Sequence, residues 1–130
     1  MSGEPEGDES GRRRRAFVFG LRAEAAAAIY LRLKGYRILA RRFAIRGGEI
    51  DIVALRGDTV AFVEVKGRED FETAAGAIGA VKRRRVARAV RVWLTRNPWA
   101  MAATLRGDAV YVRRWRLPRH APDAYRLELD

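Results

Sequence analysis

The sequence predicts an α/β fold in the order helix, three strands, helix, strand, strand. Three observations predict it. Two segments, residues 19–34 and 76–96, carry helical periodicity; two apolar runs, 49–55 and 59–65, are joined by Arg56-Gly57-Asp58; and alternating segments follow each helix. At 130 residues and 48% hydrophobic composition, the chain suits one domain with one core, burying roughly two thirds of its unfolded surface.

The first helix is expected over 19–34, where Ala26, Ile29, Tyr30 and Leu33 recur at helical spacing and Gly35 supplies a C-terminal stop. A strand follows over 36–45, with Tyr36, Ile38 and Ala40 alternating against Arg37, Leu39 and Arg41, and Gly47-Gly48 mark a turn. The runs 49–55 and 59–65 should pair antiparallel, because their connection is short and contains glycine. The second helix, 76–96, has Val86, Ala89, Val90 and Trp93 on one side and Arg84, Arg88 and Arg91 on the other, and Asn97-Pro98 ends it. A strand over 109–115 alternates Val110 and Val112 against Tyr111 and Arg113. Pro118 and Pro122 then bracket a loop before a short terminal strand around 125–129. Residues 1–15 are polar, acids first and then Arg12-Arg13-Arg14-Arg15, without apolar periodicity; they read as a disordered tail before a single domain, 16–130.

With 27 Lys+Arg against 16 Asp+Glu, the net charge is +11, and most of the excess is arginine. Guanidinium groups fork onto phosphate and stay charged, so a polyanionic partner is expected, nucleic acid ahead of an anionic membrane surface. The competing reading is a soluble protein whose composition is simply arginine-rich. The absence of cysteine excludes disulfides and thiolate-bound zinc, so any metal must take oxygen ligands. Arg14-Arg15-Ala16-Phe17-Val18 imitates a twin-arginine signal, but the apolar run 16–21 is short and flanked by charge, and no stretch of about 18 apolar residues exists. A cytoplasmic protein is expected.

The chemistry concentrates in the two apolar strands. By alternation Glu49, Asp51, Val53 and Leu55 share one face, and in the next strand Val60, Phe62, Glu64 and Lys66 share one. Strands apolar on both sides are usually central, and burying an ionised carboxylate there costs several kcal/mol unless it is compensated. One reading is an ion-pair network in which Lys66 neutralises Glu64 and Asp51. The other is a Mg²⁺ (or Mn²⁺) site, since one lysine does not balance three acids and a divalent cation with oxygen ligands does. Asp51 and Glu64 would then be metal ligands with the Val65 carbonyl, and Lys66 would orient or deprotonate an attacking water in phosphodiester hydrolysis. Glu24 lies among Ala23, Ala25, Ala27 and Ala28, where small neighbours let a helix approach the sheet; its alternative is an exposed helical glutamate.

Asp51, twelve intervening residues and then Glu64-Val65-Lys66 resembles the PD-(D/E)xK nucleases. The wider pattern adds Gly20 and Glu24, Gly35-Tyr36 with Ile38-Leu39, Gly48-Glu49-Ile50-Asp51-Ile52-Val53-Ala54, Phe62-Val63-Glu64-Val65-Lys66-Gly67-Arg68, and Lys82 and Arg85. Together with Arg106-x-Asp108 and Pro118-Arg119-His120, it resembles the YraN family of uncharacterised bacterial proteins over residues 17–126. The resemblance implies a restriction-endonuclease-like fold, a central mixed sheet of about five strands flanked by helices, similar to Holliday-junction resolvases. It implies that Glu24 is the helix carboxylate facing the metal, Asp51 and Glu64 the metal ligands, and Lys66 the catalytic lysine. Where the family has Asn, this chain has Arg42; Glu49 belongs to the family pattern without an evident role.

The second helix carries Lys82, Arg84, Arg85, Arg88 and Arg91, expected to bind phosphate, although a solvated face is the plainer reading; Lys82 falls nearer the apolar side, where it could edge the carboxylate site. Trp93 should be core, Trp99 and Trp115 are ambiguous, and His120, between prolines, is not expected to be a general base. No phosphate-cradling loop is present, since Gly47-Gly48 lacks the Gly-Lys-Ser/Thr that would follow. The leading expectation is a metal-dependent endonuclease-like protein acting on DNA, with a preference for branched or structured DNA resting on analogy and a homodimer suggested by resolvases that cut two strands. Its rival is a catalytically inactive nucleic-acid-binding module of the same fold. A third reading is a membrane-surface or structural interaction protein.

Overall fold

The computed structural model describes residues 4–67 and 79–129. Its elements are α1 (Glu4–Leu33), β1 (Arg37–Ile45), β2 (Gly48–Arg56), β3 (Thr59–Lys66), α2 (Ala80–Arg96), a 3-10 turn (Pro98–Ala102), β4 (Thr104–Tyr111) and β5 (Arg119–Tyr125). The strands form one sheet in the order β1-β2-β3-β4-β5. Neighbours are antiparallel except β3 and β4, which run parallel with α2 in the connection between them. The mixed five-stranded α/β sheet is therefore as the sequence predicts.

Local chemistry explains most boundaries. Gly35, at φ 93°, ends α1, with the Tyr36 N–H donating to the Leu31 carbonyl and the Gly35 N–H to that of Arg32. Gly47 and Gly57, at φ 84° and 61°, sit in two-residue hairpin turns closed by the pairs Ile45–Gly48 and Arg56–Thr59. The expected start of α2 at Gly76 lies outside the described residues.

Four expectations are corrected. α1 begins at Glu4, so residues 4–15, expected as a disordered tail, are helical. Its buried face is Ala23, Ala27, Ala28 and Leu31, whereas Ile29 and Leu33 are exposed, because the alanines let the helix lie close to the sheet. β4 starts at Thr104 rather than 109, since Asp108 is buried and hydrogen-bonded inside the strand. β5 is Arg119–Tyr125 rather than 125–129: it is an edge strand, and an irregularity in its pairing between Gly107 and Ala109 of β4 accommodates Pro122 and the positive φ of Asp123.

The core has two parts, one on each face of the sheet. Val53, Val60 and Phe62 pack with Val86, Val90 and Trp93 of α2. Ile52, Ala54, Ala61, Val63 and Val110 pack with Ala23, Ala27 and Leu31 of α1. Trp93 is thus core, edge-on to Phe62 at 5.6 Å.

Gly48 sets the spacing between β2 and α2. A Cβ there would lie 2.5 Å from the Arg85 carbonyl oxygen and 3.0 Å from the Ala89 nitrogen, both backbone atoms, so the helix would have to move. Gly48→Ala is expected to cost about 2 kcal/mol, measurable by urea unfolding, with Gly79→Ala as a comparison whose Cβ meets no neighbouring atom and whose φ of −69° suits any residue.

Candidate functional site

The β2–β3 ladder stops at the pair Ile52–Val63. One step further, the backbone N–H of Val65 donates instead to the Asp51 carboxylate at 2.8 Å. A side chain has replaced a rung of the ladder, so the two strands part at this end of the sheet. The face alternation slips at the same place: Ile52 and Ala54 face α1, yet Ile50 packs in the cluster on the α2 side. In the gap lies a cavity of about 970 Å³ whose wall includes Glu24, Glu49, Asp51, Glu64, Val65 and Lys82.

Each carboxylate arrives from a different element. Glu24 comes from α1, buried, with Arg41 at 3.3 Å and Arg42 at 3.9 Å. Its Oε1, though near Arg41, has no hydrogen bond of good geometry. Glu64 is buried on β3, and Lys82 of α2 reaches both its Oε2, at 3.4 Å, and that of Glu49, at 3.3 Å. Lys66 ends β3 opposite Tyr111; its charge acts on Glu64, but it is not part of the cavity wall.

The electrostatics follow from confinement. Burial, with Asp51 beside it and in spite of Lys82 and Lys66, pushes Glu64 up to about 8. Burial also raises Asp51 against the pull of the Val65 N–H, and raises Glu24 against the pull of Arg41. Lys82 is lowered by burial but raised more by Glu64, Asp51 and Glu49, and ends above its ordinary range. Asp51 adds its charge to the burial that raises Glu64, so the two carboxylates disfavour each other's ionised form.

These residues fit a divalent cation. Asp51 and Glu64 are each raised by burial and by a neighbouring carboxylate, with Lys82 3.4 Å from Glu64, and a Mg²⁺-sized ion would add the positive charge that such a pair favours. Among the described residues no group of three or more acids or histidines is close enough to hold a metal by itself. Two carboxylates and a carbonyl would leave the remaining positions to water, as Mg²⁺ commonly does.

Lys82 belongs to this site rather than to the arginine face. Arg84, Arg85, Arg88 and Arg91 are exposed on α2. Two of them are partly engaged by backbone, Arg88 with the Gly47 carbonyl at 3.4 Å and Arg91 with that of Glu128 at 3.3 Å. The cavity rim instead carries Arg15, Arg42 and Arg114, none of which the sequence marked as a site residue. Arg42 offered a signal in the resemblance, which implies Asn at this position: its φ is 54°, a conformation that Asn tolerates better than Arg. Arg114 offered none, because it reaches the cavity from the β4–β5 connection.

A second polar cluster lies off the cavity wall. Buried Asp108 accepts from Arg106 Nε and a terminal nitrogen, both at 2.8 Å, from His120 Nε2 at 2.8 Å and from the Asp123 N–H at 3.0 Å. Lys34 donates to His120 Nδ1 at 2.6 Å, and Arg106 donates to the Tyr36 hydroxyl at 2.7 Å. Arg106-x-Asp108 and His120, separate features of the sequence, are one network.

Among known proteins, the pattern described as "Uncharacterised protein family UPF0102" matches residues 23–112. A UPF0102 protein of Methylorubrum extorquens is 56% identical over 124 residues, 95% of this chain and 97% of the relative. One from Methylocella silvestris is 56% identical over 118 residues, covering 91% and 94%. The UPF0102 protein RPA0323 of Rhodopseudomonas palustris is 49% identical over 110 residues, 85% of each chain. No helix among the described residues is long and apolar enough to cross a membrane.

Proposed function

The chain belongs to the UPF0102 family, the YraN family of the resemblance, and we propose that it is a metal-dependent, endonuclease-like protein that hydrolyses phosphodiester bonds in DNA. The observation that carries this reading is the parting of β2 and β3, which brings Asp51 and Glu64 into one cavity with Glu24 and an arginine rim. Asp51, Glu64 and the Val65 carbonyl would hold Mg²⁺ or Mn²⁺. When bound, the ion neutralises phosphoryl oxygens and activates a water. Arg42 and Arg114, which line the cavity, would hold phosphate at its rim, and Glu24 would extend the acidic wall. Lys82 balances Glu64 and Glu49, while Lys66 adds its charge from the end of β3. Cutting both strands of branched DNA would call for a homodimer, and work on DNA for a cytoplasmic protein.

A nucleic-acid-binding module without turnover is the second reading. Two observations favour it: Lys82 already supplies a cation between Glu49 and Glu64, and Lys66 does not reach the cavity wall. The readings separate when purified protein is incubated with labelled duplex, single-stranded and four-way-junction DNA in Mg²⁺ or Mn²⁺. The nuclease is expected to yield products that Asp51→Asn abolishes and Lys66→Ala reduces. Binding with steep salt dependence but without products establishes the module instead.

A further inference from the structure

The connection between β4 and β5, residues 112–118, holds a side chain that neither the core nor the carboxylate site uses. Trp115 is 98% exposed and has φ 63°, a conformation bulky residues rarely adopt. Neither burial nor backbone preference accounts for a tryptophan there. Its sequence neighbours are Arg113, Arg114 and Arg116, three arginines and one indole within four positions. Arg114 ties the segment to the site, for its guanidinium lies 5.7 Å from the Phe19 ring centroid and it forms part of the cavity wall with Asp51 and Glu64.

We propose that residues 112–118 form a nucleic-acid contact in which Arg114 holds a phosphate at the cavity rim and Trp115 stacks on an unpaired base beside it. Resting on the reading that the cavity takes a phosphodiester, this names the substrate class: a strand with an unstacked base next to the bound phosphate, as in a single strand, fork or junction. The chemistry selects that class, because bases inside a duplex have both faces covered, whereas an unpaired base offers a π-face to an aromatic ring and its phosphate to a guanidinium. An anionic bilayer would also receive an exposed Trp-Arg segment. Nucleic acid is favoured because Arg114 is shared with a recessed acidic cavity, which suits a cation-bridged phosphodiester and not a flat, negatively charged surface.

The test measures binding of the full chain to a labelled single strand, a forked duplex and a blunt duplex, with Ca²⁺ in place of Mg²⁺. Trp115→Ala is expected to weaken single-strand and fork binding about tenfold or more and leave the blunt duplex unchanged. Trp115→Phe should recover most of that loss, and Arg114→Ala should weaken all three. Because Trp115 is exposed, each variant is expected to keep the wild-type Tm. If Trp115→Ala matches wild type on every DNA while Arg114→Ala still weakens binding, the stacking proposal is overturned and the cavity reading stands. If the wild type binds none of the three, the cavity reading falls and takes this one with it. Loss by Trp115→Ala of binding to phosphatidylglycerol vesicles, with DNA binding untouched, assigns the segment to membranes and overturns the proposal.

Discussion

Glu64→Gln is expected to make the metal-free protein more stable at pH 8. Glu64 is buried on β3, and burial together with Asp51 pushes its carboxyl from 4.5 up to about 8. Its folded pKa therefore lies above its unfolded one. Between pH 4.5 and 8 the folded chain keeps a proton that the unfolded chain has released, so stability falls as pH rises through that window. Gln has the same shape, still hydrogen-bonds and never ionises. After discounting for the coupling with Asp51 and Lys82, the gain is about 2–3 kcal/mol at pH 8, or roughly 5–10 °C in Tm, and close to nothing at pH 5. Thermal unfolding in EDTA at the two pH values measures it. A lower Tm for the variant at pH 8 would mean that Lys82 already satisfies an ionised Glu64, and the strained carboxylate pair would be gone. Adding Mg²⁺ provides a second check: it should raise the Tm of the wild type, increasingly with pH, and leave Glu64→Gln nearly unmoved.

That a residue should destabilise its own fold is the mark of a site rather than of a core. The sequence contained half of this argument. Acids within strands apolar on both faces were legible in Asp51 and Glu64, because alternation is local and the cost of burial is general. The hairpin turns at Gly47 and Gly57 and the helix stop at Gly35 were legible for the same reason, each resting on a positive φ that glycine accepts. The role of Asp51 as a substitute rung was not, since it depends on where a neighbouring strand stops pairing. Lys66 looked like the site's cation by spacing along β3, but Lys82 is the ammonium in contact, delivered by the packing of α2 over β2. The buried face of α1 was misplaced because hydrophobicity favours Ile29 and Leu33 while close approach favours alanine. Arg114 and Trp115 meet the site only through the β4–β5 connection, a long-range relation that periodicity does not carry.

Asp108→Asn is expected to produce the opposite result, a loss of about 3 kcal/mol at pH 7, seen as a drop of roughly 10 °C in Tm. Burial alone would raise this carboxyl, but hydrogen bonds from His120, Arg106 and the Asp123 N–H outweigh it and hold it at about 2. An asparagine would offer one acceptor oxygen where the carboxylate takes four hydrogen bonds, and it would leave the Arg106 guanidinium without its counter-charge. Because the folded pKa lies below the ordinary 3.8, the stability Asp108 confers is fully present above 3.8 and is lost as pH falls through about 2. The difference between wild type and variant should therefore be constant from pH 7 to about 4 and shrink below that, by about 2 kcal/mol at pH 2. Urea unfolding at pH 7, 4 and 2 measures this. The pH dependence carries the argument, for a variant that merely packs badly would lose the same amount at every pH. Equal stability of the two proteins at pH 7 would show that Arg106 and His120 find other partners, and that the network joining α1's end to β4 and β5 is not what holds the edge strand in place.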